Sequence, residues 1–164
     1  MNKNPILFVM GVSGSGKSTI GAMLSKELGC PFYDGDDYHP EANIKKMSSG
    51  KPLNDEDRQG WLEILNKLAH ENRSTGAVIV CSALKENYRN TLKTGLHAHC
   101  SFIYLEGSLE TISKRLQERN NHFMPKKLLQ SQFDALEVPE DAITIQITNS
   151  PEQIVALALQ ALKN

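Results

Sequence analysis

One short segment near the start of the chain constrains its fold more than any other. Residues 11–18 read GVSGSGKS and follow the apolar run 6–10. They match the pattern G-x-x-x-x-G-K-[ST], in which glycines let the backbone curl until successive N–H groups point at phosphate oxygens. A helix that begins where the loop ends adds the positive end of its dipole. The segment therefore predicts a strand, a phosphate-binding loop and a helix, in that order.

The polar residues of this loop each have a chemical task. Lys17 is expected to reach the β- and γ-phosphates of a nucleotide, and the Ser18 hydroxyl is expected to bind a Mg²⁺ ion between them. The other predicted nucleotide-binding residues are Gly11, Val12, Ser13, Gly14, Ser15, Gly16 and Thr19. A dinucleotide-binding fingerprint would need G-x-G-x-x-G, and the run that starts at Gly14 ends in Thr19. The loop therefore favours a nucleoside triphosphate.

Short apolar runs alternate with amphipathic stretches along the whole chain. The runs are 6–10, 30–33, 77–81, 102–105 and 143–147, and each predicts a strand. Before the closing helix, Ser150 and Gln153 have the spacing of a capping box. Alternation of this kind is typical of a parallel sheet covered by helices on both faces. We predict an α/β fold with three α/β/α layers, the P-loop NTPase fold, with strand order 2-3-1-4-5 in one domain over residues 1–164.

Charge and composition limit the classes of partner. The 164 residues include 18 Lys and Arg against 19 Asp and Glu, so the net charge of -1 gives no basic field for nucleic acid. No apolar run approaches the roughly 20 residues of a membrane span, and the polar start differs from a signal peptide. The 3 cysteines lack the spacing of a zinc site or a disulfide framework. We expect a cytoplasmic protein with a small-molecule partner, no nucleic acid and no membrane.

Two carboxylates follow the second predicted strand. Asp34 and Asp36 are separated by one glycine, and the ends of parallel strands collect at the edge of the sheet where the phosphate loop lies. One carboxylate can hold a magnesium-bound water while the other accepts the proton of a substrate hydroxyl. The alternative is that these residues only form a turn and cap the next helix. Beside a phosphate loop, we favour the catalytic interpretation.

Other classes of phosphate-loop protein fit the sequence less well. Asp57 and Gly60 match the D-x-x-G motif of a GTPase switch, but Asp57 follows polar residues and leads into a predicted helix. No N-K-x-D motif that would recognise a guanine base follows. The strand 77–81 runs into Ser82 and not into an Asp that could bind magnesium as in ATPases. Support for the metal must therefore come from Asp34 or Asp36.

Further short segments continue along the chain in a fixed order. They are 11–19, 34–40, 43–47, 52–58, 81–85, 88–89, 115–119, 122–125 and 128–133. Together these segments resemble those of the gluconokinases over nearly the whole chain. One departure is Gly60 before Trp61, where the family usually has Pro, and it predicts a looser entry to that helix.

The resemblance implies transfer of the ATP γ-phosphate to the 6-hydroxyl of D-gluconate, with Mg²⁺, by a homodimer. It implies that Asp36 orients and deprotonates the hydroxyl, with Asp34 nearer the metal. A polyol that ends in a carboxylate needs a bidentate cation and several hydrogen-bonding groups, and Arg58 is the first choice for the carboxylate. Further candidates for substrate binding are His39, Lys46, Lys85 and Arg89.

A basic helix end precedes the polar turn near residue 120. Arg115 and Arg119 lie four apart and so share one helix face. We interpret about 119–136 as a helical lid, in which Arg119 neutralises charge on the transferred group and Arg115 stacks on adenine. The alternative is a solvated basic face.

Two other functions stay open at this level. A small-molecule kinase of the shikimate or adenylylsulfate type could use the same Arg58 and carboxylate pair, although the residues after 81 offer no glycine-rich turn for the shikimate ring. A nucleotide-gated binding module with slow hydrolysis and a protein partner would have no use for Asp34 and Asp36. Stimulation of ADP release by a sugar acid would discriminate, because a gating module should ignore it.

Overall fold

The computed structural model of this chain describes residues 4–118 and 126–163. The strands are β1 (Ile6–Met10), β2 (Phe32–Asp34), β3 (Ala77–Val80), β4 (Cys100–Glu106) and β5 (Ile143–Gln146). The helices are α1 (Lys17–Leu28), α2 (Glu41–Ser48), α3 (Asp55–Glu71), α4 (Glu86–Leu92), α5 (Leu109–Glu118), α6 (Lys126–Ala135) and α7 (Pro151–Lys163). Short 3-10 turns cover Gly35–Tyr38 and His97–His99.

The strands form one parallel sheet in the order β2-β3-β1-β4-β5. The central strand β1 pairs on both edges, so that Ile6 lies opposite Ala77 of β3 and opposite Cys100 of β4. All of β1 is buried, as expected for a strand with helices on both faces. The predicted α/β class and strand order are confirmed.

Side chains of β1 alternate between two apolar cores, one on each face of the sheet. Leu7 and Val9 pack in a core to which α1, α5, α6 and α7 contribute. Phe8 and Met10 pack in the other, to which α3 and α4 contribute. These are the three layers that the alternation of strands and helices predicted.

Side chains cap two helix starts, of which the one at α7 was predicted from the sequence. In α3, the Asp57 N–H donates to Asn54 Oδ1 at 2.7 Å and the Asn54 N–H donates to Asp57 Oδ2 at 3.0 Å. In α7, the backbone N–H groups of Gln153 and Ser150 donate to each other's side chains at 3.2 and 2.9 Å, which confirms that capping box. The looser helix entry expected from Gly60 is wrong, because α3 begins upstream at the Asn54 cap and Gly60 lies within the helix.

The carboxyl ends of β1, β2 and β3 meet along one rim of the sheet. The Gly11 N–H, just after β1, donates to the Ser82 carbonyl at 3.3 Å. Gly35 follows β2, and a Cβ placed there would lie 2.5 Å from the Val80 carbonyl oxygen. Only glycine therefore permits the turn after β2 to lie this close to β3.

Among the described residues, no helix combines the length and the apolar character that crossing a membrane would require. The single-domain organisation over residues 1–164 and the cytoplasmic location stay predictions.

Candidate active site

The phosphate loop has the backbone shape that its glycines predicted. Gly14 and Gly16 have φ values of +84° and +92°, which strain any residue with a Cβ. The Ser15 N–H donates to the Val12 carbonyl at 3.2 Å and tightens the turn. Helix α1 starts directly afterwards, so its free N–H groups face the space enclosed by the loop.

The side chains of Lys17 and Ser18 face the carboxylates of Asp34, at the end of β2, and of Asp36, in the turn after it. Lys17 Nζ donates to the Val12 carbonyl at 3.2 Å, and burial lowers the pKa of Lys17 while the nearby charges of Asp36 and Asp34 oppose that shift. Ser18 Oγ donates to Asp34 Oδ2 at 3.2 Å. The ammonium and hydroxyl groups of the motif thus lie on the same side of the rim as both carboxylates.

Asp34 has two structural contacts at once. Its Oδ1 accepts the Asp36 N–H at 3.0 Å, which caps the 3-10 turn, and its Oδ2 accepts the Ser18 hydroxyl. The turn-and-cap interpretation is therefore observed, but it does not replace the chemical one. The cap fixes Asp36 next to the phosphate loop.

Asp36 has the electrostatic surroundings of a proton acceptor. Burial raises its pKa above the ordinary value, the charge of Asp34 raises it further, and Lys17 opposes both. A carboxylate with a raised pKa binds a proton more readily at neutral pH, which suits it to take one from a hydroxyl group. Asp36 lines a cleft, so a hydroxyl compound there can approach it.

This cleft, called here the rim cleft, has a volume of about 640 Å³. It is lined by residues of the loop, of the end of β2 and the turn after it, of the segment between α2 and α3, of α3, of the end of β3, and of α6. Predicted site residues in its lining are Ser13, Lys17, Ser18, Asp34, Asp36, His39 and Arg58. The structure thus brings the ammonium group of Lys17, the carboxylate pair and a guanidinium to one cavity.

Arg58 is oriented by neutral groups. Its Nη1 donates to the Leu53 carbonyl at 2.8 Å and to the Tyr88 hydroxyl at 3.4 Å, and the guanidinium carbon lies 5.6 Å from the centre of the Tyr88 ring. The Tyr88 hydroxyl in turn donates to Asp55. Among the described residues, no carboxylate forms an ion pair with Arg58. Its charge is therefore left for a ligand in the rim cleft.

His39 lies in the rim cleft against Trp61. The two rings are stacked with centroids 4.2 Å apart, and Trp61 Nε1 donates to the Gly35 carbonyl at 2.8 Å. Burial lowers the pKa of His39, so the ring is held in its neutral form over a wider pH range. A neutral imidazole can donate or accept a hydrogen bond with a substrate hydroxyl.

Three predicted cations do not line the rim cleft. Lys46 forms an ion pair with Asp57, and Lys85 forms one with Asp55 at 3.2 Å. Arg89 is only 6% exposed, and it donates to the carbonyls of Ala83 and Glu137 at 2.7 and 2.8 Å. Arg89 thus has a structural role, since it joins the segment after β3 to the segment after α6.

A second cavity, called here the Arg115 pocket, opens on the other side of the phosphate loop. It has a volume of about 310 Å³ and is lined by Ser15, Gly16, Thr19, Ile20, Arg115, Glu118, Asn149, Pro151 and Ile154. Arg115 also donates to the Ile147 carbonyl, which fixes its guanidinium. Arg119 and the first part of the predicted lid lie outside the described residues, and α6 forms the later part.

Many residues that were not assigned to the site from the sequence contribute to it, among them Met47, Trp61 and Ser82 in the rim cleft, and further ones come from two more helices. Leu128, Ser131 and Gln132 of α6 line the rim cleft. Tyr88 of α4 orients Arg58. The signal for both groups was their place in the segments 128–133 and 88–89, which carried the resemblance.

The residues on the rim fit a magnesium ion shared with a nucleotide. Ser18 and Asp34 offer hard oxygen ligands within hydrogen-bond distance of each other. Among residues 4–118 and 126–163, no group of three or more His, Cys, Asp and Glu side chains could hold a metal by itself. Mg²⁺ in kinase sites keeps several waters and takes phosphate oxygens beside one or two carboxylates.

Comparison with known proteins gives one consistent result. The family model for shikimate kinase matches residues 13–163. A probable gluconokinase of Xenopus tropicalis is 45% identical, over 93% of this chain and 84% of that protein. The thermosensitive gluconokinase of Escherichia coli (strain K12) is 46% identical, over 94% of this chain and 85% of that protein. The crystal structure of a gluconokinase from Sinorhizobium meliloti 1021 has a TM-score of 0.89 at 37% identity, over 99% of this chain and 94% of that one.

Proposed function

Because the chain belongs to the gluconokinase family, we propose that it transfers the γ-phosphate of ATP to the 6-hydroxyl of D-gluconate. The products are ADP and 6-phosphogluconate. The chain also matches the family model for shikimate kinase. The observation that carries this proposal is the rim cleft, in which Lys17, Asp36 and Arg58 line one cavity.

ATP occupies the two cavities on either side of the phosphate loop. The adenosine lies in the Arg115 pocket, where the fixed guanidinium of Arg115 offers a flat surface for the base. The phosphates follow the loop toward Lys17. Ser18 and Asp34 would hold Mg²⁺, which when bound would neutralise phosphate charge during transfer.

Gluconate lies in the rim cleft with its two ends recognised by different residues. Arg58 binds the carboxylate with two parallel N–H donors, and His39 bonds a hydroxyl of the chain. The 6-hydroxyl faces Asp36, which accepts its proton as the oxygen attacks the γ-phosphorus. The bond from the γ-phosphorus to the bridging oxygen of ADP breaks in the same step, and Arg119 stabilises the charge on the transferred group.

A second candidate acceptor is a shikimate-type acid, because the matching family model is that of shikimate kinase. Such a compound also combines a carboxylate with a hydroxyl, and Arg58 and Asp36 would serve it equally. The gluconokinase relatives favour an open-chain sugar acid.

The test is ADP formation from MgATP with purified protein and, in parallel, D-gluconate, L-idonate, shikimate or no acceptor. We expect strong stimulation by D-gluconate. Stimulation by shikimate alone would favour the second candidate, and ADP release that no acceptor stimulates would favour the nucleotide-gated module. The homodimer stays a prediction, which analytical ultracentrifugation would test.

A further inference from the structure

Gln132 of α6 is hydrogen-bonded to the phosphate loop. Its Oε1 accepts the backbone N–H of Ser13 at 2.7 Å, and its Nε2 donates to Ser13 Oγ at 2.9 Å. The two residues are 119 positions apart in the sequence, so the contact joins the predicted lid to the loop. Such a pair of bonds fixes the distance and the angle between the two elements.

The orientation of the Gln132 amide follows from its partners. A backbone N–H can only donate, so the oxygen of the amide must face Ser13 N. The amide nitrogen then faces Ser13 Oγ, and one of its two hydrogens fills that bond. The second hydrogen has no partner among the hydrogen bonds of the described residues and remains for a group in the rim cleft, which Gln132 lines.

Gln132 contacts the loop at the end where the terminal phosphate lies. Ser15 and Gly16 line the Arg115 pocket, whereas Ser13 and Lys17 line the rim cleft. A triphosphate that extends from the first cavity to the second therefore places its last phosphate beside Ser13. Lys17 Nζ, at the carbonyl of the residue before Ser13, marks the same end.

We propose that Gln132 is a positioning residue that reads the terminal phosphate: it holds the rim-cleft end of the phosphate loop through Ser13 and offers a neutral amide N–H to the γ-phosphate. ATP and ADP differ in that phosphate alone. The inference rests on the proposed function only in that ATP is the donor, since it concerns nucleotide binding and not the acceptor.

The sharpest test is Gln132→Glu. A carboxylate at this position can still accept the Ser13 N–H and can accept the Ser13 hydroxyl hydrogen, so both contacts to the loop are retained. It also places a negative charge beside the γ-phosphate. We expect the affinity for the magnesium complex of β,γ-imido-ATP to fall about tenfold or more, with the affinity for MgADP within about twofold of wild type, by calorimetry.

The matched control is Gln130→Glu, which makes the same charge change on the same helix. Gln130 is exposed, bonds to Asp134 at 2.9 Å and does not line the rim cleft. Both nucleotide affinities should stay at the wild-type value in this variant. Gln132→Ala should lower kcat about tenfold with MgADP affinity unchanged, because the loop loses both bonds from α6.

Two results would overturn the inference. Equal loss of both nucleotides in Gln132→Glu would mean that the side chain only supports the fold. Wild-type affinity for both nucleotides would mean that the γ-phosphate lies elsewhere. A wild-type protein that binds both nucleotides but is stimulated by no acceptor would contradict the proposed function and leave this test intact.

Discussion

The two ends of the candidate site are built in different ways. The phosphate end comes from consecutive residues, 11–18, and its shape depends on backbone N–H groups and on glycines at positive φ. The other end, where we propose that gluconate binds and which is called here the gluconate end, comes from side chains of the turn after β2 and of α3 and α6, with Tyr88 of α4 bonded to Arg58. One end is thus encoded locally, whereas the other exists only when distant elements have packed.

The difference is clearest in how cations are placed. Lys17 is oriented by the carbonyl of Val12 in its own loop. Arg58 is oriented by Tyr88, which is 30 positions away in the sequence and is itself bonded to Asp55. In the proposed site, recognition of the acceptor at the second end therefore depends on a chain of side-chain hydrogen bonds that single substitutions can remove separately.

The largest expected effect is at the junction of the two ends. Asp36→Asn removes the proton acceptor and should lower kcat by roughly 10²- to 10⁴-fold, with MgATP affinity nearly unchanged. Coupled ADP formation and calorimetry would measure the two quantities. Asp37→Asn is the control, since it makes the same charge change at the next residue in the chain but Asp37 does not line the rim cleft. If MgATP affinity collapsed instead, Asp36 would be a metal or structural residue.

The pH dependence of kcat gives a second test of the same group. Asp36 accepts a proton only as a carboxylate, so kcat should fall as the pH falls through its pKa. Because burial and Asp34 raise that pKa, the fall should begin at a higher pH than for an ordinary Asp. A pH profile of the wild type that stayed flat down to about pH 4 would argue against this role.

Arg58→Ala tests the gluconate end alone. Loss of a charge-assisted pair should raise the KM for gluconate about 10- to 100-fold while kcat changes less. The KM of Arg58→Lys should lie between those of the wild type and Arg58→Ala, since lysine keeps the charge but lacks the planar guanidinium. Lys45→Ala is the control, because Lys45 is exposed and pairs with Glu41 on the surface. An unchanged KM would remove Arg58 from the carboxylate site.

Tyr88→Phe should have a smaller effect on the same constant. The ring under Arg58 remains, but the hydroxyl between Arg58 and Asp55 is lost. We expect a rise of about three- to tenfold in the KM for gluconate and a loss of about 1 kcal/mol in the free energy of unfolding. Tyr33→Phe removes a comparable hydroxyl, bonded to Asn72 at 3.2 Å, and should change stability without changing KM.

The smallest effects come from the helix caps, one near each end. Asn54→Ala and Ser150→Ala should each lower the free energy of unfolding by about 1 kcal/mol, measured by chemical denaturation. Asn54 starts the helix that carries Arg58, so its loss should raise the KM for gluconate about twofold. Ser150 lies between two residues of the Arg115 pocket, so its loss should affect the KM for MgATP alone. Equal effects of both variants on both constants would contradict the separation of the two ends.

Most of the fold follows from local signals in the sequence. Apolar runs located every strand, and only the limits shifted. The second run was expected at 30–33 and β2 covers Phe32–Asp34, so that Asp34 itself pairs with Val80. The fourth was expected at 102–105 and β4 extends over Cys100–Glu106, because its start pairs with β1 and its end pairs with β5. Hydrogen bonding to neighbouring strands determines the first and last residues of a strand, and the hydrophobicity of the segment alone does not.

The parts of the candidate site that consist of residues close together in the sequence could be predicted. The phosphate loop and the carboxylate pair lie where their motifs indicated. Whether a basic side chain is available to a ligand depends on whether a carboxylate elsewhere in the fold pairs with it. Lys46 and Lys85 are paired with Asp57 and Asp55, at 11 and 30 positions along the chain. Ion pairs between residues so far apart cannot be inferred from one sequence, because they depend on how the helices pack.

The strand order of the sheet sets the distance between the phosphate loop and Asp36. Because β3 lies between β1 and β2, the ends of the two strands that lead to the phosphate loop and to Asp36 are two strand spacings apart, roughly 9.5 Å. In the proposed reaction, that width accommodates a phosphoryl group and an attacking oxygen between the phosphate loop and Asp36. In a sheet with β2 directly beside β1, the gap would be about half as wide and the proton acceptor would occupy the place of the phosphate.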